Sequence, residues 1–90
     1  MSINTVFEAL SHPVRRKVLA LLKNGPMSAG ELAAHFAISR PTLSVHFNKL
    51  KEADLVAVER QGTSLIYHLK TSVLEDALAG LFDLTERNHD

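Results

Sequence analysis

Ninety residues with 46% apolar side chains make one small domain with a core of its own. The absence of cysteine excludes disulfides and thiolate metal ligands. Net charge is zero, yet seven basic groups stand against one acid over residues 12–51 and three against eight over residues 52–90, so a basic middle meets an acidic tail and Glu8 completes the balance.

The start M-S-I-N-T-V-F-E lacks the basic opening and long apolar run of a signal peptide. No apolar run reaches membrane-spanning length, and a cytoplasmic location is the expectation. Ile3, Val6, Phe7 and Leu10 recur at helical spacing and predict a short helix over residues 3–10. A helix this short needs tertiary support. Ser11-His12-Pro13 marks a boundary, and Pro13 suits a first helical position. Val14, Val18, Leu21 and Leu22, with Leu19 beside them, then predict a central core helix. Arg15, Arg16 and Lys17 fall on or beside its polar side. They read either as a solvated face with local ion pairs, or as phosphate contacts with one arginine paired inside. Asn24-Gly25-Pro26 stops the helix.

Residues 28–55 read as two short helices back to back. Ser28 and Glu31 have capping-box spacing, and Met27 is placed to pack against Leu32. Leu32 and Phe36 form the apolar stripe of the first helix. Ser39 caps the second, Pro41 lies in its first turn, and only Ala37-Ile38-Ser39 is expected between the two. Leu43, Phe47 and Leu50 form the second stripe. Two helices so joined predict a helix-turn-helix. The outer face of the second carries Arg40, Thr42, Ser44, Val45, Asn48, Lys49 and Lys51, with no acid over residues 39–51. Hydroxyls, Asn, Arg and Lys are the groups that read base edges or hold phosphates in a major groove. An isolated solvated helix would show a similar face; a strand pair directly after the helix strengthens the groove reading.

Val56 and Val58 alternate in a predicted strand over residues 56–60, Gln61-Gly62-Thr63 turns, and residues 64–69 form a second strand. A hairpin directly after a helix-turn-helix is a wing, with Arg60 and Gln61 at its tip. Thr71 or Ser72 caps a last helix running toward Arg87, with Val73, Leu74, Ala77, Leu78, Leu81, Phe82 and Leu84 as its apolar set. That set is broader than one buried stripe and predicts a dimer interface, formed with the first helix. The expected interface residues are Val6, Phe7, Leu74, Leu78, Leu81 and Phe82. The whole is expected to be a single domain over residues 1–90, mainly α, with about five helices and a two-stranded wing.

Over roughly residues 5–82 the chain resembles the ArsR/SmtB winged-helix repressors of bacteria and archaea. The resemblance rests on F-E-A-L-S-H-P-V-R-R-K-V-L-A-L-L, on the stretch from S-A-G-E-L to E-A-D-L-V, and on R-Q-G-T-S-L-I-Y-H-L. It is nearest to the metal-free, SdpR-like autorepressor branch. It implies a homodimer joined through its first and last helices. It also implies blocked transcription at a pseudo-palindromic operator in double-stranded DNA, often the protein's own promoter. Ser39, Arg40, Pro41, Thr42, Ser44, Val45 and His46 fall on the family's recognition-helix motif. Within it Arg40, Ser44 and Val45 are expected on bases, and Lys49, Lys51 and some of Arg15 and Arg16 on phosphates, with Arg60 and Gln61 flanking. His46 lies beside the Leu43-Phe47-Leu50 stripe and is expected at the helix edge or on a phosphate. His12 stands where the family usually has Asp, which makes the cap of that helix the point of departure.

The family's thiolate metal box falls here on Glu31-Leu32-Ala33-Ala34-His35, without its cysteines. Its zinc site in the last helix lacks the first histidine after Asp76. Asp83, Glu86 and His89 could gather on one side of a helix as a weak metal-responsive site, but a solvated acidic end is the preferred reading. His35 and His68 are read as surface or edge imidazoles. No metal and no cofactor is expected. No cysteine nucleophile, Gly-rich phosphate loop or nucleophile elbow suggests an enzyme. A winged-helix domain used only for protein contact would carry acids or exposed apolar groups on its recognition face. No inducer site is visible, so release could come from a partner protein, a small molecule between the terminal helices, or concentration alone.

Overall fold

Five helices and three short strands make up a computed structural model that describes residues 3–86. In chain order they are α1 (Ile3–Leu10), α2 (Pro13–Leu22), β1 (Met27–Ser28), α3 (Ala29–Ala33), α4 (Arg40–Glu52), β2 (Val56–Gln61), β3 (Ser64–Leu69) and α5 (Thr71–Asp83). No described helix is long and apolar enough to cross a membrane.

The helix ends follow from named residues. His12 does cap α2: its backbone is extended and its Nδ1 accepts the Val14 N–H at 3.1 Å. An imidazole nitrogen thus does the work of a capping carboxylate. Both halves of the capping box form at α3, with Ser28 Oγ accepting from Glu31 N at 3.0 Å and Glu31 Oε1 accepting from Ser28 N at 2.9 Å. Ser39 Oγ accepts from Thr42 N at 3.3 Å to start α4.

The far end of α4 carries a device that no glycine signalled. Asp54 takes a left-handed φ of 59°. Its N–H donates to Lys51 O at 2.9 Å, while Leu55 N donates to Leu50 O at 3.1 Å. These two bonds are a Schellman motif, and fully buried Leu50 and Leu55 provide its apolar contact.

Four expectations need correcting. α3 ends at Ala33, so the connection to α4 is longer than three residues. Tight turns close it, with His35 N bonded to Leu32 O and Phe36 N to Ala33 O. Lys17 holds them: its Nζ donates to His35 O at 3.0 Å and lies 4.9 Å from the Phe36 ring centre. The hairpin gains a third strand, giving the antiparallel order β1-β3-β2 with Met27 opposite Tyr67 and Ser28 opposite Ile66. The first strand of the hairpin runs one residue further than expected, because Gln61 pairs with Ser64 and leaves only Gly62-Thr63 unpaired. Gly62, with φ 63°, holds the first central position, where a two-residue hairpin of this kind needs positive φ. Finally, neither Thr71 nor Ser72 caps α5. Lys70 holds the cap position without a side-chain cap bond. Its N–H is bonded to Leu55 O at 2.9 Å and its ammonium to Asp54 Oδ1 at 2.6 Å, so tertiary contacts place this helix start.

The core joins Val6 and Ala9 of α1, Val18, Leu19 and Leu22 of α2, and Leu32 of α3 to Leu43, Phe47 and Leu50 of α4. Leu55, Val56 and Tyr67 close it from the sheet side, where Phe47 and Tyr67 rings lie 4.7 Å apart between centres. Each large apolar side chain so buried contributes about 1.5–3 kcal/mol. α5 contributes no buried residue. The radius of gyration is 14.7 Å, above the roughly 12 Å of a compact domain of this length.

Candidate nucleic-acid interface

α4 turns Leu43, His46, Phe47 and Leu50 inward and leaves its opposite side to solvent. Pro41, Thr42, Ser44, Val45, Asn48 and Lys51 are exposed there. Val45 is 56% exposed, an apolar group with nothing of its own chain to cover it. Ser44, Val45 and Asn48 are spaced to share one face of the helix. A methyl-bearing group between a hydroxyl and an amide suits a major groove, where thymine methyls and adenine edges alternate. Asn48, given no specific role from the sequence, stands near the middle of this face. Ser39 is engaged at the helix start, where its hydroxyl donates to Thr42 Oγ1 at 2.9 Å.

Arg40 leaves that face. A Cβ placed on Gly30 would stand 4.0 Å from Arg40 Nη2, so the guanidinium lies against the start of α3. There it borders an open groove of about 280 Å³, shared with Gly30, Thr63, Ser64 and Leu65. The wing tip is next to it in sequence: Arg60 and Gln61 are exposed at the end of β2. Arg40 is therefore set between helix and wing, rather than among Ser44, Val45 and Asn48.

Two expected contacts are absorbed by the fold. His46 is only 8% exposed and is not presented on the outer face. Its Nδ1 lies 3.1 Å from Arg15 Nη1, and its ring centre is 4.3 Å from that of His12. Arg15 is equally buried. Its Nε donates to Ala9 O at 2.9 Å and its Nη2 to Glu8 O at 3.0 Å, satisfying the last carbonyls of α1. Arg15 is thus the arginine paired inside, and it is unavailable to phosphate. Arg16 is exposed and donates to Leu10 O at 2.7 Å. Burial first, then His12 and Arg15, lower the pKa of His46 below the usual histidine value.

Lys49 meets an acid from another helix. Glu8 Oε1 of α1 lies 2.8 Å from its Nζ. That bond holds the Glu8 carboxyl below, and the Lys49 ammonium above, the ordinary range. Both partners are well exposed, so the pair adds little to stability, and a phosphate can compete for the lysine.

The apolar surface also departs from expectation in one residue. Val6 is 2% exposed and belongs to the core of its own chain, because α1 packs that side against α4. Leu74 is half-buried against the core. Phe7, Leu78, Leu81 and Phe82 remain exposed, as does Ile3, which was not among the expected residues.

Among the described residues no group of three His, Cys, Asp or Glu could hold a metal. Asp83 and Glu86 are exposed, and His89 lies outside the described residues. His35 is exposed; His68 is half-buried, with its Nε2 3.3 Å from Glu59 Oε2 but without hydrogen-bond geometry.

Known proteins are similar to this chain in sequence and in fold. A helix-turn-helix domain family matches residues 10–59. The transcriptional repressor SdpR of Bacillus subtilis is 49% identical over 76 residues, covering 84% of each chain. The arsenical resistance operon repressor of Staphylococcus aureus is 34% identical over 88% of this chain and 76% of its own. An ArsR-like transcriptional regulator from Rhodococcus sp. RHA1 superposes with a TM-score of 0.81 at 28% identity, over 92% of this chain and 78% of that one.

Proposed function

From the premise that this chain belongs to the ArsR/SmtB family of winged-helix DNA-binding transcriptional repressors, we propose that it acts as a homodimeric autorepressor that needs no metal. Two α4 helices enter successive major grooves of a pseudo-palindromic operator, about one helical turn apart. The observation that carries this reading is the exposed, acid-free face of α4 around Val45. Ser44, Val45 and Asn48 read base edges. Lys51, and Lys49 once it leaves Glu8, hold phosphates. Arg60 and Gln61 of the wing flank them on the backbone or in the minor groove. The exposed apolar side of α5 supports the dimer. The missing thiolates support independence from metal.

The test is titration of labelled DNA from the protein's own upstream region, with random duplex as control and zinc added or chelated. If the dimer neutralises about eight phosphates, log affinity should fall against log salt with a slope near −7. Tight binding confined to the upstream DNA and indifferent to zinc is the expected result. Equal weak binding to both DNAs would overturn autorepression, and release by zinc would overturn independence from metal.

Arg40 provides a sharper test of the geometry. Its position beside Gly30 and the wing supports a contact to backbone phosphate rather than to a base. Arg40→Ala should weaken binding to all sequences alike and reduce the salt slope by about 0.9 for each phosphate it no longer neutralises. A loss confined to particular operator positions would return Arg40 to base reading.

A further inference from the structure

Where α4 meets α2, two imidazoles are both held as hydrogen-bond acceptors. A guanidinium only donates, so His46 Nδ1, at 3.1 Å from Arg15 Nη1, carries a lone pair. His12 Nδ1 likewise carries a lone pair, because it accepts the Val14 N–H at 3.1 Å. The neutral proton of each ring is therefore on Nε2. A second proton on His46 must land on the nitrogen already in use.

We propose that Arg15, His12 and His46 form a proton-sensitive latch that positions the recognition helix against α2 and opens on acidification. On His46 the added proton replaces an accepted hydrogen bond with two cations face to face, in a site 8% exposed. The His12 ring, 4.3 Å away between centres, crowds the same site.

The charged neighbours do not relieve this. From α2 come Arg15 and, at its cap, His12; from α4 comes Lys49, with Glu52 near it; from α1 comes Glu8. Glu8 gives its carboxylate to Lys49 and only its backbone oxygen to Arg15. The lowered proton affinity of His46 agrees with such surroundings. An opened state then binds more protons than the closed one. The latch is at full strength above the ordinary histidine range, near pH 6.5, and weakens as pH falls through it. Leu43, Phe47 and Leu50 keep α4 in the core meanwhile, so the expected event is a loosened helix, not a lost fold. Groove-reading side chains need a firmly held scaffold, so the same protons weaken operator binding.

The consequence for DNA rests on the proposed role of α4, whereas the latch is a property of the free protein and is tested there. His46→Asn keeps an acceptor oxygen for Arg15, and His12→Asn keeps a capping oxygen, and neither titrates. Ring resonances and α4 amide hydrogen exchange would be followed by NMR between about pH 8 and pH 5.5. In the native chain His46 should titrate below the free-histidine range. Protection of α4 amides, corrected for intrinsic rates, should fall on the order of tenfold more than in the double Asn variant. His46 titrating at or above the free-histidine value, with α4 protection unchanged, overturns the latch even if the variants fold poorly. Equal falls in native and variant chains overturn it as well. Upstream duplex titrated at the two pH values reports separately on DNA: a latch that titrates without changing affinity leaves the latch and removes its effect on operator binding.

Discussion

Leu81→Glu should turn the proposed dimer into a monomer in sedimentation velocity, and abolish operator binding at concentrations where the native chain binds fully. Leu81 is 41% exposed, Leu78 42% and Phe82 66%, all on a helix with no buried residue. Leu78, Leu81 and Phe82 are spaced to lie together, and Phe7 and Ile3 of α1 are exposed as well. One leucine fully buried at an interface contributes about 1.5–3 kcal/mol. A twofold interface presents each substitution twice, and a buried carboxylate adds a desolvation penalty of several kcal/mol per ion. Even about 4 kcal/mol in all raises the dimer dissociation constant roughly a thousandfold. The fold of each protomer should survive, because none of these residues is in its core. Leu78→Glu should behave alike. Sedimentation like that of the native chain for both variants would take α5 out of the interface.

Arg15→Ala should cost about 3 kcal/mol in urea unfolding, out of the roughly 5–13 kcal/mol available to a domain of this size. Two acceptors lose their donor at once, Ala9 O and His46 Nδ1, while Glu8 O loses one bond and keeps those from Ser11. Hydrogen bonds from a charged group contribute about 1.5–3 kcal/mol each, but they share one guanidinium and do not add. Relief from burying a charge offsets part of the loss. The result corresponds to a fall in Tm of roughly 15 °C. Arg15→Lys should recover little, since an ammonium cannot reach three acceptors from one plane. The neighbouring Arg16→Ala, which breaks one exposed contact, should stay within about 0.5 kcal/mol. A cost below about 1 kcal/mol for Arg15→Ala would mean that its bonds merely balance its burial.

The two arginines show how far the site is legible in the sequence. Both stand in the same basic triplet, and pattern alone leaves open which one turns inward. The difference arises because Arg15 shares a helical side with buried Val18, Leu19 and Leu22, while facing the carbonyls that end α1. Lys49 carries the same lesson. Residues 39–51 carry no acid, yet Glu8 reaches Lys49 from 41 residues away. Spacing puts His46 at the helix edge, and burial against Arg15 and His12 moves it inside. Arg40 follows the recognition motif in sequence, but its side chain lies toward α3 and the groove beside the wing.

Short-range rules determined a large part of this protein from sequence alone. The capping box at Ser28 and Glu31, the cap at Ser39, the apolar stripes and the turn at Gly62 depend on backbone angles and neighbours within a few residues. The winged helix-turn-helix is therefore legible in the residue pattern itself. Tertiary structure alone decided the third strand at Met27, the Schellman end at Asp54 with its bond to Lys70, and the Arg15, His12 and His46 cluster. Each of these involves partners brought together across the fold or a backbone angle that its residue type does not demand. Propensity and periodicity carry no distances, so only packing could select which polar groups meet and which remain free for DNA.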